Sequence, residues 1–291
     1  MNQVSYVPMG LLSLRTPQAH KGEFGRVLIL GGSLGLSGAA ALCTRGALRV
    51  GAGLVTLGIP KSLQFAMTVK LTEAMLRAFS ETREGSLDPQ GLPEILKTVE
   101  HMDVVAIGPG LSQQPQTKEL VRHLLPKITR PVVLDADGLN ALAEDIDLLR
   151  KLPLPVILTP HPGEMARLIR QSVDDVQRDR ERIASEFAKR YRVIVVLKGY
   201  HTIVADIDGT ISINETGNPG MASGGMGDVL TGVIAGLIGQ RLSTIDAARL
   251  GVYLHGLAGD LLAAERGQIG LLASEIADTI PKAIRRYQQL V

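Results

Sequence analysis

The sequence predicts an α/β fold: a central, mostly parallel sheet flanked by helices on both faces. Three observations carry that reading. Six short runs, at 26–30, 54–57, 103–107, 131–135, 155–159 and 193–197, are nearly all apolar and rich in Val, Ile and Leu. They do not alternate apolar with polar, so each strand is expected to be covered on both faces, as in a parallel sheet between helices. Helix-like stretches at 37–50, 116–125, 139–149 and 176–191 lie between the runs, and alternation of strand with helix marks an α/β domain. Finally, the residues just past the strands are chemically unusual. The first run is followed by Gly31-Gly32-Ser33 and the third by Gly108-Pro109-Gly110. The fourth ends in Asp135-Ala136-Asp137-Gly138, the fifth in Thr159-Pro160-His161-Pro162-Gly163-Glu164, and the sixth in Lys198-Gly199-Tyr200-His201-Thr202. Each cluster alone is ordinary turn chemistry. Together they predict a binding face outside the carboxyl ends of the strands, where open parallel sheets hold ligands.

After Gly199 the pattern changes. Residues 202–205 and 210–213 read as a hairpin around Asp208-Gly209. A glycine-rich loop follows, and helices then begin near Asp228, Thr244 and Leu271. No linker, charge block or internal repeat interrupts the chain, so one domain over 1–291 is the simplest organisation.

Composition removes several classes of function. With 45% hydrophobic residues in 291, a large core is available and disorder is not expected. Aromatics are 3% with no Trp, which disfavours a stacking platform for single-stranded nucleic acid. The formal charge is only +2, so neither a nucleic acid nor a membrane surface is indicated as partner. The longest apolar run, near 229–239, is too short to span a bilayer. Residues 1–16 lack the pattern of a secretory signal. Cys43, the single cysteine, reads as a small core residue and fits a reducing, cytoplasmic setting.

The strongest local signal is Asn218-Pro219-Gly220-Met221-Ala222-Ser223-Gly224-Gly225-Met226-Gly227-Asp228, running into an apolar helix. Glycines at a helix N-terminus expose main-chain N–H groups to an anion, and the helix dipole adds to the attraction. Asp228 has two compatible readings. As an N-cap it would hold the helix start. As a catalytic base it would take a proton from a hydroxyl attacking a phosphoryl group, kept ionised by the dipole. The loop lacks the Gly-Lys-Ser/Thr of a P-loop, and the first glycine cluster lacks dinucleotide-fingerprint spacing. His161 is open to a turn role, Asp135 and Asp137 to capping the next helix, and Lys198 to a solvated strand end. His255 and Asp260, five apart on a helix, read as structural or nucleotide-adjacent.

Gly-Gly-Met-Gly-Asp-Val-Leu-Thr-Gly at 224–232 resembles the anion-hole and catalytic-Asp motif of ribokinase-like enzymes. Further motifs narrow the resemblance to the NAD(P)H-hydrate dehydratase family. They are Lys21-Gly22-Glu23-Phe24-Gly25-Arg26, Ser37-Gly38-Ala39-Ala40, Gly51-Ala52-Gly53, Gly108-Pro109-Gly110-Leu111, Asp135-Ala136-Asp137-Gly138-Leu139-Asn140, Thr159-Pro160-His161-Pro162-Gly163-Glu164-Met165 and Lys198-Gly199. The resemblance implies a ribokinase-like fold and ADP-dependent dehydration of the S form of hydrated NADH or NADPH, with Mg²⁺ as cofactor; ATP is the co-substrate in eukaryotic members. It also implies roles. Asp228 would be the base, and Gly225, Met226 and Gly227 would offer N–H groups to the transferring phosphoryl. Lys198, Gly199, Tyr200, His201, Thr202 and Gly227 would hold the nucleotide. Ala40, Gly110, His161 and Asp228 would contact the hydrated dinucleotide, and Glu164 would organise the metal through water. Many relatives carry an epimerase domain in front; this chain starts near the dehydratase motifs, so a separate epimerase is the expected pathway partner. A homo-oligomer, a tetramer, is the expected assembly. The alternative is a small-alcohol kinase of hydroxymethylpyrimidine or hydroxyethylthiazole type, sharing the loop and Asp228.

Overall fold

The computed structural model describes residues 8, 10–12, 15–154 and 156–290. Pro155 of the fifth run and most of the N-terminal stretch 1–16 lie outside the described residues. The strands are β1 (Arg26–Leu30), β2 (Leu54–Pro60), β3 (Met75–Phe79), β4 (Val104–Ile107), β5 (Val132–Leu134), β6 (Val156–Leu158), β7 (Ile194–Leu197), β8 (Thr202–Ala205) and β9 (Ile211–Asn214). The helices are α1 (Ser37–Arg49), α2 (Gln64–Lys70), α3 (Leu92–Val99), α4 (Pro115–Leu124), α5 (Ala136–Leu142), α6 (Pro162–Ile169), α7 (Val173–Arg178), α8 (Arg180–Tyr191), α9 (Met226–Gly239), α10 (Thr244–Arg266) and α11 (Ala273–Gln288).

The strands form one sheet in the order β3-β2-β1-β4-β5-β6-β7-β8-β9. Pairing is parallel from β3 through β7 and antiparallel at β7–β8 and β8–β9. The chain builds outward from β1 to β3, then returns to the other side of β1 as β4. That reversal makes a switch point, where the Gly31-Gly32 and Gly108-Pro109-Gly110 tips lie side by side, the Gly32 N–H donating to the Pro109 carbonyl at 2.8 Å. Successive strand residues enter opposite cores. Val27 and Ile29 join the layer with α1, α9, α10 and α11, while Leu28 and Leu30 join the layer with α3 to α8. This is why the runs read as continuously apolar.

Differences from the sequence reading have local causes. β3 was not expected; its edge position leaves it mostly exposed, without an apolar run. α2, α3 and α6 are short and went unread. The stretch 139–149 divides into α5 and a 3-10 turn at Ile146–Lys151, and 176–191 divides at Asp179 into α7 and α8. The hairpin lies where it was expected, one residue later on its second strand. Cys43 is a buried core residue, its thiol pushed up by burial. Among the described residues no helix is long and apolar enough to cross a membrane.

The packing of α9 on α1 fixes the glycine loop. A Cβ on Gly232 would lie 1.9 Å from the Cys43 carbonyl oxygen, and one on Gly46 would lie 2.4 Å from that of Val229. The two backbones touch, so the helix carrying Asp228 has no freedom to slide. Gly232→Ala is expected to destabilise the protein by about 1–3 kcal/mol through overpacking. Gly224→Ala, where nothing lies within 4 Å of the added carbon, serves as the neutral control. Urea unfolding midpoints check both.

Candidate active site

The carboxyl ends of β5, β6 and β7 bring three charged side chains together. Asp135 follows β5, Glu164 sits in the first turn of α6 after β6, and Lys198 follows β7. Lys198 Nζ lies 2.7 Å from Asp135 Oδ1 and 3.8 Å from Glu164 Oε2. Thr231 Oγ1, from α9, donates to Asp135 Oδ2 at 2.7 Å. Asp135 and Thr231 are fully enclosed, and Lys198 is 17% exposed. The solvated strand-end reading of Lys198 therefore does not hold. Burial works against its ammonium, but Asp135 and Glu164 outweigh that and hold it above its ordinary value.

Asp135 precedes α5, yet its side chain makes no capping bond; the carboxylate is committed to Lys198 and Thr231. Asp137 does not cap either. It accepts from the Ser112 N–H at 2.9 Å and from Asn140 Nδ2 at 3.1 Å, tying the loop after β4 to α5. His161 is the cap: Nδ1 accepts from the N–H groups of Gly163 (3.0 Å) and Glu164 (3.4 Å), and its own N–H donates to Glu164 Oε2 at 2.7 Å. The ring proton then belongs on Nε2. Burial, Lys198 and Arg167 hold its pKa below the usual value, so the imidazole is neutral. Burial also raises Glu164.

Gly225, in the left-handed region at φ 89°, caps α9. Asp228 thus lies in the helix's first turn and is not the N-cap. A Cβ on Gly227 would be 3.0 Å from Lys198 Nζ, so the helix N-terminus and the ammonium face one spot. The Asp228 carboxylate forms no hydrogen bond or ion pair among the described residues. Burial pushes it up to about 7, with the charge of Asp135 adding and Lys198 opposing. The sequence reading had the helix dipole keeping it ionised well below neutrality; desolvation and the acidic neighbours override that.

A cavity of about 630 Å³ joins these groups. Its walls include Asp135, His161, Glu164, Lys198, Gly199, Tyr200, His201, Thr202, Gly225, Gly227 and Asp228. Tyr200 is exposed and stacks on His201 with ring centroids 3.9 Å apart. Arg180 of α8 holds this turn by donating to the Leu197 carbonyl at 3.1 Å and to that of Tyr200. Ala40 and Gly110 stand outside the cavity wall. Both are buried at the switch point, where Ser33 Oγ donates to the Gly110 carbonyl at 2.9 Å. Sequence reasoning missed Arg180, the role of Thr231 and the segment 214–217, which lines the cavity just before the Asn218-Pro219 start of the glycine loop. It also left His255 undecided; the ring is buried in the cavity wall, and burial lowers its pKa to about 4. No group of three or more His, Cys, Asp or Glu side chains among the described residues forms a metal cage.

A nine-stranded sheet in this order, with a glycine-capped helix and an unpaired carboxylate at its carboxyl edge, is a ribokinase-like α/β protein. The chain belongs to the NAD(P)H-hydrate dehydratase family, whose model matches residues 27–282. It is 48% identical over 280 residues to the bifunctional NAD(P)H-hydrate repair enzyme Nnr of Moorella thermoacetica, covering 96% of this chain and 53% of that one. The chain thus spans about half the length of the curated relatives it matches. The ADP/ATP-dependent NAD(P)H-hydrate dehydratase of Bacillus subtilis, co-crystallised with ATP and Mg²⁺, superimposes with a TM-score of 0.80 at 35% identity, covering 95% of this chain and 94% of that one. A hydroxyethylthiazole kinase from Pyrococcus horikoshii, 13% identical at a TM-score of 0.59, shares the fold alone.

Asp135→Ala leaves the Lys198 ammonium enclosed with only the more distant Glu164 for a partner. The expected result is a stability loss of about 3 kcal/mol, the scale of breaking a buried pair. Asp135→Asn, which keeps the contact with Thr231, is expected to lose less. Chemical denaturation measures both.

Proposed function

We propose that this chain dehydrates the S form of hydrated NADH and NADPH, driven by ADP or ATP, and so returns the working cofactor. The observation that carries the reading is the unpaired Asp228 carboxylate in the same cavity as Lys198 and the first turn of α9. Asp228 accepts the proton of the C6 hydroxyl as its oxygen attacks the terminal phosphorus of the nucleotide. The main-chain N–H groups at Gly225, Met226 and Gly227, with Lys198 beside them, stabilise the charge that develops on the migrating phosphoryl group. The C6–O bond then breaks with phosphate as leaving group, a proton is lost from C5, and the ring double bond returns. With ADP the products are NADH or NADPH, AMP and phosphate. The phosphates lie between Lys198 and α9, and the nucleoside between residues 199–202 and the 214–219 wall. The hydrated dinucleotide reaches from Asp228 and His161 toward the switch point between β1 and β4. There Ala40, whose side chain is enclosed, and Gly110 offer main chain only.

Without a protein cage, the donor set fits magnesium carried by the nucleotide and met through water by Glu164. When bound, the ion neutralises phosphate charge. The same reading holds the chain to be a single dehydratase domain working as a cytoplasmic homo-oligomer, a tetramer. R-form substrate becomes available to it through an epimerase activity.

The test is to incubate the protein with hydrated NADH, Mg²⁺ and either ADP or ATP, and to follow near-ultraviolet absorbance and phosphate release. Recovery of absorbance with stoichiometric phosphate is expected; a stable phosphomonoester without recovery would show a kinase instead. Asp228→Asn is expected to abolish turnover while retaining nucleotide binding. Because the folded carboxyl titrates at about 7, the base form is gained as pH rises. kcat/KM should fall about tenfold per pH unit below that point and level off above it. A profile flat from pH 5 to pH 8 would remove Asp228 as the base.

A further inference from the structure

Helix α10 lies beneath one wall of the cavity, and one of its faces is shaped to receive the segment 216–221. Gly256, Gly259 and Asp260 share that face at helical spacing. A Cβ on Gly256 would be 2.3 Å from Thr216 Oγ1 and 2.6 Å from the Thr216 carbonyl, and one on Gly259 would be 2.2 Å from Met221 Sδ. The segment therefore rests directly on the helix. Polar bonds fasten it. The Gly217 N–H donates to Asp260 Oδ2 at 2.9 Å, and Asn218 Nδ2 donates to Asp260 Oδ1 at 3.0 Å. Asn218 Oδ1 in turn accepts from the Gly220 N–H at 3.0 Å, and Thr216 Oγ1 donates to the Tyr253 carbonyl at 2.9 Å. Both carboxylate oxygens of Asp260 are thus spent on one short stretch of chain. That stretch lines the same cavity as the exposed Tyr200 and His201 and leads into the glycine loop.

We infer that Asp260 is a positioning residue for the nucleotide: it holds segment 216–221 on α10 and so sets the width of the cavity where the nucleoside enters. This rests on the nucleotide-dependent reading above. Asp260 belongs to neither the proton relay nor the phosphoryl cradle, so its loss acts on nucleotide affinity and spares the chemical step. Direct electrostatics predicts the opposite sign. Removing a negative charge near an anion site would tighten a polyphosphate, whereas releasing the segment weakens it.

Titration calorimetry with Mg²⁺·ADP and Mg²⁺·ATP separates these outcomes. Wild-type protein that binds neither would overturn the nucleotide reading itself. Given wild-type binding, Asp260→Asn is expected to weaken both nucleotides about tenfold or more, the scale of losing a charged hydrogen-bond pair. Nucleotide KM should rise in step, with kcat at saturation within about threefold. Adding Asn218→Asp restores a matched donor and acceptor and should recover most of the affinity. Asp260→Asn that binds within twofold of wild type, or a double variant as weak as the single one, overturns the inference. Should Asp260→Asn fail to fold, Gly256→Ala displaces the same segment, and unchanged nucleotide affinity there overturns it equally.

Discussion

The contact between Lys198 and Asp135 is the constraint on which the site depends. It joins the ends of two strands that are not neighbours, because β6 lies between β5 and β7. Thr231 extends it to α9, and Glu164 extends it to α6. Four elements, β5, β7, α6 and α9, thus meet around one enclosed ammonium, and the open N-terminal end of α9 faces it as well. A lysine so enclosed would lose its proton without anionic partners. Two carboxylates keep it charged, and it remains a cation at the place where a phosphoryl group must pass. The same carboxylates also limit it, since an ammonium already neutralised attracts a polyphosphate less than a bare one. Lys198 is better suited to a group whose charge grows during the reaction than to holding the resting nucleotide alone.

Asp228 shows the other side of this arrangement. A helix N-terminus stabilises a carboxylate by about 0.3–2 kcal/mol. Moving a carboxyl from 3.8 to about 7 corresponds to on the order of 4 kcal/mol in the opposite direction. Burial and the charge of Asp135 therefore win over the dipole and Lys198 together. The outcome suits proton abstraction near neutrality, where a base works best with its pKa close to the ambient pH. A carboxylate held by an N-cap bond would have been a weaker base, and α9 avoids this by taking Gly225 as its cap.

Much of this was legible in the sequence, and the limits have physical reasons. Strands buried on both faces announce themselves as apolar runs, so the central strands were found; β3 at the exposed edge has no such mark. His161, Glu164 and Lys198 were singled out because strand tips in a parallel sheet converge, and the glycine loop and Asp228 because glycines open an apolar helix there. What the sequence could not show is which partner each side chain takes. Asp135 and Asp137 sit at the start of a helix and look like caps, but Lys198 and Thr231 take the carboxylate of Asp135, and the Ser112 N–H and Asn140 take that of Asp137. Arg180 sits on a helix 17 residues before Leu197, and nothing in local spacing relates the two. Thr231 reads as one more member of an apolar helix until Asp135 is placed beside it.

The two ends of the cavity differ in construction, and the difference bears on selectivity. At the phosphoryl end Asp135, Glu164 and Thr231 are buried and bonded, and α9 cannot shift because its backbone touches α1. At the nucleoside end, Tyr200 and His201 are exposed, and His201 itself lies in the left-handed region at φ 53°. For the proposed reaction, the fold would thus fix the geometry of transfer and leave discrimination among nucleotides to a rim of main chain and a stacked ring pair. A rim of that kind recognises a nucleoside mainly by shape and stacking. ADP and ATP share the same nucleoside and differ only in the length of the polyphosphate. In the proposed reaction a choice between them would therefore be made at the Lys198 end, by how many phosphate groups fit between the ammonium and Asp228.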